Sequence, residues 1–216
     1  MILQPDALDY EAFLLALSQH PYKVDVKERV LEVVAPKWNM QVRYPFNINL
    51  SEGLSVVEEE VLFAIVLIQS ENAAIGIVEE GVLVENKVFK TYMVRKKQGK
   101  SQLKHLNAKG KSKAGSRLRL SNTVNFFEDI NQSLVYYFDD YAVGSILISC
   151  PIALSSHFYT SKTPPPFNKK DERLQKINFH IHSPNNESLR SVAQHYASFD
   201  ITFEGILPME IQLFLE

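Results

Sequence analysis

Between Lys90 and Arg119 the chain carries 11 lysine and arginine residues and no aspartate or glutamate. A segment of one sign cannot enter an apolar core, because each buried charge would need a partner that the segment does not contain. It must stand at a surface, and the core must be built from the chain on either side. Those flanks are acidic. Residues 1–89 hold 6 cations against 14 acids, and residues 120–216 hold 6 against 11, so the net charge of -2 conceals a sharp local asymmetry. A basic stretch in an acidic protein attracts polyanions locally. The plain alternative is a solvated lysine-rich loop. Against it, Gln98, Gly99, Ser101, Gln102, Asn107, Gly110, Ser112, Gly115 and Ser116 are interleaved with the cations and offer hydrogen bonds to phosphate and ribose. Arg95, Arg117 and Arg119 add planar forks that suit phosphate. Nucleic-acid backbone is the leading ligand class.

Several classes fall away. The longest apolar run, Val61 to Ile68, is too short to cross a bilayer. No basic stretch precedes Phe13-Leu14-Leu15, so a secretory signal is not expected and no membrane partner is implied. A single cysteine, Cys150, excludes a disulfide framework and a multi-cysteine zinc site within this chain. The expected setting is reducing and cytoplasmic, with no cofactor and no metal.

The apolar flanks divide into elements. Tyr10, Phe13, Leu14 and Leu17 recur at helical spacing and predict a helix over 6–19, closed by His20-Pro21. Val24 and Val26, then Val30 to Val34, predict one or two strands. Trp38, Tyr44, Phe46 and Ile48 suggest an extended piece packed on the core. Residues 61–94 read as a β-meander: Leu62 to Gln69, Ala74 to Val78, a tight turn at Glu80-Gly81, and Val82 to Val94. After the basic segment, Phe127, Ile130, Leu134 and Phe138 predict a helix capped by Ser121 or Asn122. Val143 to Ser149 is a short buried strand, and Ser155 to Asn168 a proline-rich connection. Ile177, Phe179 and Ile181 alternate with Asn178, His180 and His182 as a strand would. Ser183-Pro184 opens a helix bearing Leu189, Val192, Ala193 and Tyr196, and Ile201 to Ile206 is a last strand. The order implies a mixed α/β fold around a single sheet. The division is an N-terminal extension over 1–55 and a domain over 56–216.

Few side chains outside the basic segment suggest chemistry. His180 and His182 would form a metal pair if they shared a strand face, but no third ligand is signalled. Cys150 has no marked partner histidine and reads as a strand-end thiol. Glu58-Glu59-Glu60 and Asp139-Asp140 are surface clusters. No phosphate-binding Walker loop, dinucleotide glycine pattern, nucleophile elbow or zinc-hydrolase motif is present.

What remains is Arg95-Lys96-Lys97-Gln98-Gly99-Lys100-Ser101-Gln102, then Lys113-Ala114-Gly115-Ser116-Arg117-Leu118-Arg119. This pairing resembles the Vms-one-like release factors, whose strand ends in Arg-x-Lys-Gln-Gly-Gly-Ser-Gln and is followed by Ser-Ala-Gly-x-x-Leu-Arg-Arg-Tyr-Asn-Glu and a helix. Arg95, Lys97, Gln98, Gly99, Ser101 and Gln102 match the first motif; Ala114, Gly115, Leu118, Arg119 and Asn122 match the second. The resemblance covers roughly residues 60–200. The family is similar to the middle domain of archaeal and eukaryotic peptide-chain release factors, with its Gly-Gly-Gln loop. Three departures stand out: Lys100 replaces the second glycine, Leu120 replaces the second arginine, and the following Tyr-Asn-Glu reads Ser121-Asn122-Thr123. The zinc finger, ankyrin repeats and segregase-binding tail of larger members are absent, as in a stand-alone bacterial-type form.

The resemblance implies an RNase-H-like α/β fold with a basic Gly/Gln loop. Its implied partners are the ribosomal large subunit, near the peptidyl-transferase centre, and peptidyl-tRNA. The implied activity is release of a nascent chain by ester hydrolysis, or cleavage near the tRNA 3′ CCA end. Gln102, Ser101 and Gly99 are then the catalytic candidates. Arg95, Lys96, Lys97, Gln98, Lys100, Lys104, Lys111, Lys113, Arg117 and Arg119 are the RNA-binding candidates. A glutamine amide does not titrate usefully, so Gln102 would orient water or donate to a developing oxyanion. The alternative is a non-catalytic ribosome- or tRNA-binding factor.

Overall fold

The computed structural model describes residues 2–3, 9–58, 61–91 and 111–215, with the backbone alone for 111–121. The chain forms two compact units. One comprises 1–61, 79–82 and 190–216; the other comprises 62–78 and 83–189.

The first unit is an antiparallel sheet. Its strands are β1 (Ile2–Leu3), β2 (Tyr22–Asp25), β3 (Val30–Ala35), β4 (Trp38–Arg43) and β12 (Phe199–Gly205), in the order β1-β12-β4-β3-β2. Leu31 and Val33 of β3, Met40 and Val42 of β4, and Phe199 and Ile201 of β12 all turn to one buried face. That alternation is what a half-buried antiparallel sheet requires. The helix expected over 6–19 is α1 (Tyr10–Leu17), capped by the Asp9 carboxylate, which accepts from the Ala12 N–H at 3.1 Å. Its Phe13, Leu14 and Leu17 complete this core together with Ile211 of the short helix α5 (Met209–Gln212). Trp38, Tyr44, Phe46 and Ile48 are buried, as their apolar character suggested. β5 (Ile48–Leu50) pairs with β6 (Val56–Glu58) in a separate ribbon.

The second unit has the order β11-β10-β7-β8-β9. The expected meander is β7 (Phe63–Ile68), β8 (Asn72–Glu79) and β9 (Val82–Lys90). Glu80 and Gly81 both have positive φ, 48° and 77°, the signature of a type I′ hairpin turn. β10 (Ser145–Ser149) runs parallel to β7, and β11 (Leu174–Lys176) parallel to β10. All six residues of β7 are buried, so the central strand is covered on both faces. Helix α2 (Lys111–Asp140) lays Phe126, Phe127, Ile130 and Leu134 on Ala64, Val66, Ile75 and Ile146.

Several expectations are corrected. The described residues form two five-stranded sheets, not one, because β12 pairs with β4 across most of the chain, a contact with no local signature. Within the span 56–216 grouped by sequence, β12 pairs with the N-terminal strands β1 and β4. α2 spans Lys111–Asp140, so Ser121 and Asn122 lie inside the helix and do not cap its start. Lys, Ala, Leu and Arg are good helix formers, and a helix nucleated on the core propagates backwards at little cost. The connection 155–168 contains most of a helix, α3 (Ile152–Tyr159). Residues 177–182 are not a strand: the ladder stops at Lys176 with one further bond, Ile177 N–H to the Ile148 carbonyl at 3.0 Å. Helix α4 (Asn186–Tyr196) is capped by Asn185, not Ser183. The Asn185 Oδ1 accepts from Ser188 N–H at 2.8 Å while the Asn185 N–H donates to Ser188 Oγ at 2.9 Å, a reciprocal box. No helix among the described residues is long and apolar enough to cross a membrane.

Candidate nucleic-acid interface

The basic segment begins and ends on well-anchored elements of the second unit. At its start, β9 closes with the Thr91 N–H donating to the Glu71 carbonyl at 2.8 Å, which ties the strand end to the β7–β8 turn. Phe89, Lys90 and Thr91, facing Asn122, Asn125 and Asp129, enclose a small cleft of about 150 Å³. Lys87 donates to Ser133 Oγ at 3.0 Å and lies 5.4 Å over the Phe89 ring, joining β9 to α2.

α2 is held from its other side by two polar groups. Asn131 is fully buried, and its amide nitrogen lies 2.8 Å from the carbonyls of Phe158 and Thr163 and 2.5 Å from Ser161 Oγ. The Glu128 carboxylate accepts from the Thr163 N–H at 3.0 Å. Neither residue stands out in the sequence. A lone Asn beside Ile130 on an apolar stripe is the only trace. Both fix the helix that carries the second basic motif.

Arg95, Lys96, Lys97, Gln98, Gly99, Lys100, Ser101, Gln102 and Lys104 lie outside the described residues. Lys111, Lys113, Arg117 and Arg119 occupy the first turns of α2, and the expectation that they belong to a loop is thereby corrected. Lys113 and Arg117 are one turn apart along the axis, about 6 Å. The first turn of α2 holds no acidic residue. Lysines in the first turn of a helix oppose its dipole.

The other candidates lie elsewhere in this unit. His180 and His182 lie in the loop after β11 with ring centroids 6.4 Å apart. No cluster of three metal-ligating side chains occurs among the described residues. Burial pushes the Cys150 thiol up to about 11, with Lys169 opposing the shift, so it is protonated near neutrality and is no nucleophile there.

Residues 63–203 match the model of the Bacteroidetes VLRF1 release factor family. The match contains the whole basic segment, both motifs and α2. A solved structure described as a Vms1 mitochondrial localization core is similar over 93% of this chain and 84% of its own, at 13% identity and a TM-score of 0.47. No curated protein matches the sequence. With the match spanning well over half of its length, this chain belongs to the Bacteroidetes VLRF1 release factor family.

Proposed function

We propose that this protein is a ribosome-associated rescue factor that frees nascent chains from peptidyl-tRNA. The observation that carries the reading is the family match over residues 63–203, which takes in the cationic segment together with the helix that follows it. The rest follows by matching residues to the Vms-one-like motifs. Gln102 acts at the tRNA 3′ end, orienting a water or donating to the developing oxyanion. Gly99 permits the backbone turn and Ser101 supports the glutamine. Arg95, Lys96, Lys97, Gln98, Lys100 and Lys104 hold phosphates before it, and Lys111, Lys113, Arg117 and Arg119 after it. Positioning contributes most of the catalysis, up to roughly 7–11 kcal/mol. The ribosomal large subunit supplies the site, and the cytoplasm the setting. The β7–β11 sheet, a three-strand meander continued by two parallel strands, supports an RNase-H-like reading of this unit.

The test uses stalled ribosome complexes carrying labelled peptidyl-tRNA. Wild type should release the peptide, and Gln102→Ala should lose that activity while still binding. Intact deacylated tRNA on the gel means ester hydrolysis; a shortened tRNA means nuclease action. No product from wild type would end the catalytic reading. Lys100 at the family's glycine position favours a second reading, a tRNA- or ribosome-binding factor without catalysis. In that case binding is salt-sensitive and Gln102→Ala changes nothing.

A further inference from the structure

The second unit contains a larger recess that the release reading does not use. It is a cavity of about 550 Å³ at the carboxyl ends of β7, β10 and β11. The chain leaves β7 towards β8 on one side and β10 towards β11 on the other, so the strand order reverses between β7 and β10. In open α/β sheets, ligands settle in the crevice at such a reversal. The volume falls in the range of small-molecule sites.

The lining has two characters. Lys169, Lys176 and His180 stand at the rim, with the hydroxyls of Ser149, Ser155 and Tyr159 among them, and no carboxylate contributes among the described residues. The lysines are exposed, and Lys169 sits 5.2 Å over the Tyr159 ring. Pro151 and Ser155 bring the start of α3, and the positive end of its dipole, to one wall. Ile68, Ile148, Leu174 and Phe179 make the remaining surface apolar. The Gln69 amide closes one side by donating to the Ile181 carbonyl at 2.7 Å. A cationic rim without acids over an apolar and aromatic floor fits a ligand with a phosphate at one end and a flat ring at the other.

We propose that this recess binds a nucleoside monophosphate, with Lys169 and Lys176 on the phosphate and the base against Phe179 and the isoleucines. The same chemistry comes from a free nucleotide or from the terminal nucleotide of an RNA strand. The proposal goes beyond the release reading and stands without it, since binding is measured on the free protein.

Cys150 lines the cavity and is the sole cysteine of the chain, so its alkylation reports occupancy. The full chain is titrated calorimetrically with AMP, adenosine, inorganic phosphate and a short RNA ending in CCA. In parallel, iodoacetamide labelling at pH 9 is followed by intact mass. AMP should bind at least about tenfold more tightly than adenosine or phosphate and should slow Cys150 labelling. Lys169→Ala with Lys176→Ala, both at exposed positions, should weaken AMP by about tenfold or more with an unchanged circular dichroism spectrum. RNA that protects Cys150 as well as AMP does identifies a strand end as the source; protection by AMP alone identifies a free nucleotide. AMP binding no better than phosphate, no protection of Cys150 by either AMP or RNA, or a double variant that binds AMP like wild type would overturn the assignment. None of these outcomes depends on the Gln102→Ala release assay.

Discussion

The Arg43 guanidinium at the end of β4 donates to the His195 carbonyl at 2.6 Å, across 152 residues of sequence. It also lies 5.0 Å over the Tyr196 ring, and Arg43 faces Asp200 directly in the β4–β12 ladder. Burial pulls the Arg43 pKa down, against the opposing pull of Asp200. Nε and Nη1 find no hydrogen-bond partner among the described residues. The bond fastens the C-terminal segment to the N-terminal sheet. Arg43→Ala should therefore cost about 2–3 kcal/mol, the value of a hydrogen bond from a charged donor. Arg43→Met should cost less, because it keeps the stem and removes a partly satisfied charge. Trp38, the sole tryptophan and buried in the same sheet, reports the loss as a lower urea midpoint.

His195 itself makes this region pH-sensitive. Its pKa is lowered by burial and by the Arg43 charge, with Asp200 at 4.0 Å opposing. The folded state therefore prefers the neutral ring. The stability this provides is present above the unfolded value of about 6.5 and is lost as pH falls through it towards the folded value. Wild type should lose stability between about pH 7 and 5 more steeply than His195→Gln does. Urea midpoints across that range check the difference.

At the β8–β9 turn, Glu80 holds a left-handed conformation that a glutamate dislikes, and Gly81 holds another. A Cβ on Gly81 would come within 2.9 Å of the Ala197 Cβ. Gly81→Ala should cost about 1 kcal/mol or more, from positive φ and the close contact together. Glu80→Asn should stabilise by up to about 1 kcal/mol, because asparagine tolerates this region and favours type I′ turns. Thermal melts would read both, in opposite directions.

Which parts of this molecule are legible in the sequence follows from the range of the interactions. The meander was readable because β7, β8 and the β8–β9 turn are specified by neighbours: an apolar run in β7 and Glu80-Gly81 at the turn. α1 and the packed half of α2 carry a clear helical stripe. α3 does not: Ile152 is 94% exposed and Phe158 is its only buried residue, so no periodicity marks it. The alternation of Ile177, Phe179 and Ile181 imitates a strand, yet an edge strand as short as β11 cannot continue without a partner. The first turns of α2 are hidden because Lys111-Ser112-Lys113-Ala114-Gly115-Ser116 carries no apolar stripe. For the site, the motif residues were legible as a cationic run, but the supports Glu128 and Asn131 were not. Their partners, Phe158, Ser161 and Thr163, lie some 30 residues away and meet them only after folding.

Asn131 provides the clearest test of those supports. Its two amide protons face three acceptors, with the Ser161 hydroxyl also donating to the Thr163 carbonyl at 2.8 Å. Asn131→Leu strands the Phe158 and Thr163 carbonyls and should cost about 2–3 kcal/mol. Asn131→Asp should cost more, since it removes both donors and buries a carboxylate among carbonyl oxygens. Denaturation followed by far-ultraviolet circular dichroism gives both values, and equal stability of the three proteins would mean that the network contributes nothing.

The N-terminal turns of α2 separate a structural charge from a functional one. Lys111 and Lys113 oppose the helix dipole, so in the absence of RNA they weaken the helix they begin. Lys111→Glu should raise the thermal stability of the free protein by about 0.3–1 kcal/mol, as an acid in the first turn does. The same change should weaken RNA binding, and Lys113→Ala or Arg117→Ala should each lower the salt dependence of that binding by about one counterion. Lys23→Ala, at an exposed position of β2, serves as the control and should leave the slope alone. Opposite movement of stability and affinity in Lys111→Glu is the result that marks these cations as kept for a polyanion. A variant that gains stability and binds RNA as wild type does would instead make the charge an ordinary solvated helix end.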